Sequence, residues 1–323
     1  DNKCIQLALK LYRSRNVKRF SDFAPTNQGE VNLTTHADML SEEKIGPIVL
    51  RGAHVGRYFL SEIQKQGKPL YINEVKFKKA KQQGTRIEDI DKLRIGYQRG
   101  AGIDNWRRII ATIIPPGNYC SDTINYIVDP NRIDIFAALG FLNSTLWEWR
   151  FRLTSTDNHV NAYEIDGMPV IHIPFSTPQP SRDELLADAK SLYACFLDSR
   201  DPITIMKFVA DRLSAEPEES DAIHDLLAFL AERMIDMNKA KHEALKAFET
   251  DLEGALGEKA GKLSRLYTPP KRPNPDKFKD DAKLRAKQAE YMEALKDAET
   301  LLGKDLVKKR IELENFPILS DEQ

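Results

Sequence analysis

The sequence predicts an α+β fold: an N-terminal mixed β-sheet domain that includes a helix, followed by an all-α, coiled-coil-like domain. Three observations lead there. From Ile45 to Pro174 short β-branched and aromatic runs are bounded by Gly, Pro and Asn, which is how strands and their turns read. Thr177-Pro178-Gln179-Pro180 then interrupts the chain as a linker. Beyond it, apolar residues recur at intervals of three or four, the period of an amphipathic helix.

The expected strands are Pro47-Ile48-Val49-Leu50, Pro69-Leu70-Tyr71-Ile72, Leu93-Arg94-Ile95-Gly96-Tyr97, Arg108 to Ile114, and Val170-Ile171-His172-Ile173. Between the last two, Phe136, Leu139, Leu142 and Leu146 are spaced for one helix over 135–150. After the linker, Ser181-Arg182-Asp183-Glu184 matches a capping box that opens a helix. The longest stripe, from Ile223 through Leu227, Leu230, Met234 and Met237 to Leu256, predicts a helix over about 220–256 that ends at Gly257. Four prolines within 269–275 exclude a helix there, and a charged helical stretch follows. The predicted division is 1–176 (α+β), 181–257 (helical spacer) and 277–320 (C-terminal helical segment).

Composition bounds the function. With 41% hydrophobic residues in 323, the chain is too apolar to be a disordered tail. It has no apolar run near the ~20 residues of a membrane span and no signal-peptide core at its start, so a cytoplasmic protein with no membrane partner is expected. Its first residue, Asp1, predicts a piece cut from something longer. Cys4, Cys120 and Cys195 lie far apart and read as reduced thiols. The net charge of −1 hides an asymmetry: residues 44–108 carry 15 Lys and Arg against 6 Asp and Glu, a net +9. A surface facing a polyanion is expected there.

Three stretches hold polar residues that a plain β framework does not require. Leu50-Arg51-Gly52-Ala53-His54-Val55-Gly56-Arg57-Tyr58 pairs two arginines with two glycines. That suits a loop held against nucleic acid, and it also suits a surface hairpin with solvated arginines. In Lys92 to Arg108, alternation puts Arg94, Gly96 and Gln98 on one face before a Gly-rich loop. Arg, Gln and Asn pair with base edges; the competing reading is a basic edge strand. Asn143-Ser144 and the loop 153–161, with Asn158 and His159, form the third stretch. Histidine spacing shows no metal site.

Catalytic constellations are missing from the sequence. Asp129-Pro130-Asn131 and Asn274-Pro275-Asp276 lack the second proline and the aromatic residue of the tetrapeptide used by amino-methylating enzymes. Gly100-Ala101-Gly102 has no third glycine at nucleotide-binding spacing. Glu74-Val75-Lys76 is half of a nuclease motif without a positioned aspartate.

The order of segments resembles the TaqI-like specificity region of bacterial adenine-specific DNA methyltransferases and fused restriction-modification enzymes. The likeness runs over roughly 20–256. It is carried by Gln28-Gly29-Glu30-Val31-Asn32-Leu33-Thr34, Leu50 to Tyr58, Tyr97-Gln98-Arg99, Arg107 to Gly117, Thr123-Ile124-Asn125-Tyr126, Leu139 to Leu146, and a helical tail at 224–256. The resemblance implies a double-stranded DNA recognition module, with no catalysis or cofactor of its own. An upstream domain of the parent chain would bind S-adenosylmethionine and flip an adenine. Together with the +9 segment it selects Arg51, Arg57, Lys76, Lys78, Arg99, Asn105, Arg107 and Arg108 for phosphate or base contact, and adds Asn158 and His159. The rival reading is a helical protein-assembly module without DNA specificity, with an intramolecular hairpin as the plainer account of the same stripe. RNA binding is weaker, because the aromatic stacking pattern is absent.

Overall fold

The computed structural model describes residues 6, 8–11, 16–61, 68–80, 86–256, 273 and 281–302, with the backbone alone at 249, 252–256 and 297–302. These form an α+β fold. In chain order the strands are β1 (Val17–Arg19), β2 (Asn27–Gln28), β3 (Leu40–Ser41), β4 (Val49–Leu50), β5 (Val55–Gly56), β6 (Phe59–Leu60), β7 (Tyr71–Ile72), β8 (Arg94–Gln98), β9 (Ala111–Ile114), β10 (Tyr119–Cys120), β11 (Ile124–Val128) and β12 (Pro169–Ile171). The helices are α1 (Glu74–Lys79), α2 (Ile135–Leu142), α3 (Thr145–Arg152), α4 (Ala162–Asp166), α5 (Gln179–Ser199), α6 (Ile203–Leu213), α7 (Ser220–Leu256) and α8 (Asp281–Leu302).

The framework is an antiparallel sheet in the order β2-β11-β8-β9. On one face Ile95, Tyr97, Ala111 and Ile127 pack with Ala137, Ala138, Leu139 and Leu142 of α2 and with Trp147 and Phe151 of α3. A separate cluster gathers Ile114 and Ile124 with Leu50, Val55 and Cys120. Strand β8 therefore lies between two neighbours, and the edge-strand reading is corrected. Its alternation is real, but both faces are covered. Arg94 is buried against Glu30, and Gln98 donates to the Val55 carbonyl at 2.6 Å. Gly96 leaves no room for a side chain, since a Cβ there would lie 2.2 Å from Ile114 Cδ1.

Two helix boundaries also differ from expectation. The single helix over 135–150 is two, α2 and α3, because Ser144 caps the Trp147 amide at 3.1 Å and starts a new helix. Asn143 at the break turns inward and forms two hydrogen bonds with the Ala111 backbone, at 2.9 and 3.2 Å. Helix α5 begins at Gln179 with a proline in its first turn rather than at a Ser181 cap, because proline supplies the helical φ without needing a donor. The long helix is α7, Ser220–Leu256 as expected. Gly257 and, apart from Pro273, the proline-rich segment fall outside the described residues, as do 277–280 and 303–320 of the C-terminal segment.

The chain divides into two compact units, Asp1–Lys239 and Ala240–Gln323. The first runs past 176 and takes in α5, α6 and the start of α7. Ala231 of α7 belongs to the core of β8 and α2, with Ala228, Met234 and Ile235 packed against it. Asp221 accepts from both the amide and the hydroxyl of Thr177 at 2.8 Å, and His224 Nε2 accepts from the Asp134 amide at 2.8 Å. These ties lock the expected linker onto the helix. No described helix is long and apolar enough to cross a membrane.

Candidate nucleic-acid interface

One end of the four-stranded sheet collects segments from four parts of the chain. Where β8 ends, the Arg99 amide donates to the Thr123 carbonyl at 3.0 Å, and the Val160 amide donates to the Arg99 carbonyl at 2.7 Å. The Gly52 amide reaches Thr123 Oγ1 at 2.9 Å, and Gly100 bridges His159. The turns at 51–54, 99–106, 121–123 and 157–160 thus meet because β8 and β11 are neighbours in antiparallel register.

The loop after Gly100 is braced from below by α3. Glu148, buried on that helix, accepts from the Arg108 amide at 2.9 Å and the Ile109 amide at 2.9 Å. One turn on, Arg152 binds Glu148 at 2.5 Å and donates to the carbonyls of Asn105 and Trp106 at 2.6 and 2.9 Å. From the other side Asn158 Oδ1 accepts from the Ile103 amide at 3.2 Å. The braced loop leaves the Trp106 side chain 54% exposed and Ile103 47% exposed.

The ten expected contact residues separate into three groups. Arg51, Arg99, Asn105, Asn158 and His159 belong to the turns at the sheet end. Asn105, Asn158 and His159 are exposed there, and Arg51 and Arg99 are half-buried. Arg51 donates to the Lys68 carbonyl at 2.5 Å and Arg99 to the Asp122 carbonyl at 3.3 Å. His159 pairs with Asp157 at 3.2 Å; hydrogen bonds from Asn161 and His159 hold the Asp157 carboxyl below its ordinary value.

The second group is structural. Arg107 is 6% and Arg108 1% exposed, so neither is placed for phosphate, and both expectations are corrected. Arg108 donates to the carbonyls of Asp157 and His159 at 2.5 and 3.0 Å and lies over Phe151. Burial pulls its guanidinium below the ordinary value. Arg107 and Arg57 both donate to the Asn143 carbonyl, at 2.8 and 3.1 Å. In each case guanidinium donors meet backbone carbonyl dipoles, which a loop-rich core needs.

The third group is Lys76 and Lys78 on α1. They are exposed, but Lys76 pairs with Asp38 at 2.5 Å and Lys78 with Glu74 at 2.6 Å, and α1 packs through Phe77 into the cluster of Val31, Val49, Ile72, Ile90 and Tyr119. Both lysines are tied to Asp38 and Glu74 rather than to the sheet-end turns. The basic excess of 44–108 shrinks for the same reason. Carboxylates from outside that segment meet it: Glu30 on Arg94, Glu42 on Lys68 and Asp129 on Lys92.

Sequence reasoning missed Glu148 and Arg152, which hold the loop. Their signal was an i, i+4 pair of opposite charge on a short helix, which normally reads as a solvated face. Among the described residues no group of three His, Cys, Asp or Glu could hold a metal ion. No protein-family model and no curated protein matches the chain.

Proposed function

We propose that the sheet domain is a sequence-specific double-stranded DNA recognition module, with the sheet-end turns as its contact face. One observation carries this reading. A loop held by Arg152, Glu148 and Asn158 opens at Arg99, carries exposed Asn105 and is joined to the turn that carries Asn158 and His159, side-chain types that pair with bases and phosphates. Preorganised loops lose little entropy on binding, which favours them as recognition surfaces. The resemblance to the specificity region of adenine-N6 methyltransferases agrees with that assignment. In this reading methyl transfer and S-adenosylmethionine belong to an upstream domain of the same parent chain, and the module acts on cytoplasmic DNA.

The test is selection of the full chain on a random-sequence duplex library at low and moderate salt. Enrichment of one short motif, lost when Arg51, Arg99 and Asn105 are all changed to Ala, is the expected result. Equal enrichment by that variant would reject this face.

A second reading, protein assembly through the helices, is favoured by α6, where Ile203, Met206 and Leu213 are exposed at helical spacing. Sedimentation of the full chain as a concentration-independent monomer removes it.

A further inference from the structure

We infer that Trp106 is a stacking wedge: its indole packs against the face of a DNA base at an opened step, with Ile103 as its apolar shoulder. This rests on the duplex-recognition reading and specifies how the braced loop engages the duplex.

A large aromatic side chain held in water forgoes the free energy its burial would gain. Here the exposure is imposed. Arg152 grips the carbonyls of Asn105 and Trp106, the Asn105 amide closes a turn on the Gly102 carbonyl at 3.0 Å, and the Ile103 amide is tied to Asn158. The next residue, Arg107, anchors on Asn143 and sets its guanidinium 5.6 Å from the Trp106 ring centre. These hydrogen bonds fix the loop backbone that carries Trp106 at the surface.

The surroundings select the occupant. Exposed Asn105 precedes Trp106 in the loop, exposed Asn158 is bonded to the Ile103 amide of the same loop, and half-buried Arg99 opens it, which suits a polyanion bearing hydrogen-bonding base edges. Apolar side chains that enter the duplex between base steps unstack them and kink the helix, and an aromatic face accepts any base. Trp147 is buried and Trp149 half-buried, so Trp106 is the tryptophan whose emission should respond to DNA.

The experiment uses the full chain and a duplex recovered at low salt, with 2-aminopurine placed at each position in turn. The wild type should show quenched Trp106 emission, defined against Trp106→Phe, and a rise in 2-aminopurine emission at one step. Trp106→Ala should lose that rise and bind roughly 5- to 100-fold more weakly, with an unchanged melting temperature, while Trp106→Phe retains most of both. If the chain binds duplex and Trp106→Ala alters neither affinity nor base emission, the wedge is overturned and the recognition reading stands. If Trp106→Ala changes only the sedimentation of the chain, the patch is a protein contact and the wedge is likewise overturned. Failure of the wild type to bind any duplex at low salt overturns both.

Discussion

Arg94 meets Glu30 at 3.2 Å with neither side chain in water. Burial pushes the Glu30 carboxyl up, while the Arg94 charge and the Cys120 amide pull it down. Arg94 also donates to the Asn118 carbonyl and lies over Tyr126. A buried pair of this kind adds little net stability when intact, but removing one partner strands the other charge. Arg94→Met is expected to lower unfolding free energy by about 3–5 kcal/mol, read by denaturant titration. A loss below about 1 kcal/mol would mean that Glu30 is protonated or hydrated in the native state. At Asp225, burial works to raise the carboxyl, but hydrogen bonds from His224 and Arg182 and the Arg182 charge bring it below its ordinary value of 3.8. A depressed carboxylate stabilises the fold above its unfolded-state pKa and loses that contribution as pH falls through the folded one. Asp225→Asn should therefore melt lower than wild type near neutral pH, with the gap closing as the pH drops below 3.8. A gap independent of pH would show that the side chain acts through shape alone.

Helix α3 is the element on which the candidate site depends. Eight residues long, it is too short to be stable alone, so Trp147 and Phe151 fix it in the core while Glu148 and Arg152 project to the loop. Arg152→Ala removes the grip on the carbonyls of Ile103, Asn105 and Trp106 without opening a core cavity. Amide exchange over 103–106 should accelerate markedly while the melting temperature changes little, and affinity for duplex DNA should fall. Unchanged exchange would show that Asn158 and the Gly102 turn suffice. Glu148→Ala is more severe, because the buried amides of Arg108 and Ile109 would each lose their acceptor, at about 1–3 kcal/mol apiece.

At the scale of the molecule, net charge by segment and charge presented to a partner are different quantities. The +9 of residues 44–108 is spent largely inside the chain: Arg94, Arg107 and Arg108 are buried, and Lys68, Lys76 and Lys92 face carboxylates from outside the segment. Under the proposed duplex reading, the cations left at the sheet end would make about two to four phosphate contacts. At about −0.9 per phosphate, a plot of log affinity against log salt should have a slope of roughly −2 to −4. A much steeper slope would place the contact surface elsewhere. Periodicity and turn chemistry were enough to read the fold class, the strands β4, β7, β8, β9 and β12 and the long helix, because they reflect local backbone preference and the burial of one face; the central strand β11, Ile124–Val128, was not read. The same reading put Asn105, Asn158 and His159 at one candidate site from residue type and resemblance. Which arginines face solvent was not legible, since Arg99 and Arg108 look alike in sequence and differ only in whether carbonyls from distant turns surround them. The Ser144 cap that breaks the helix is a local signal that periodicity does not show, whereas the inward turn of Asn143, the burial of β8 on both faces and the brace from Glu148 and Arg152 were decided by tertiary structure alone. Each depends on hydrogen bonds between residues 32 to 64 positions apart, and such partners have no local signature in the chain.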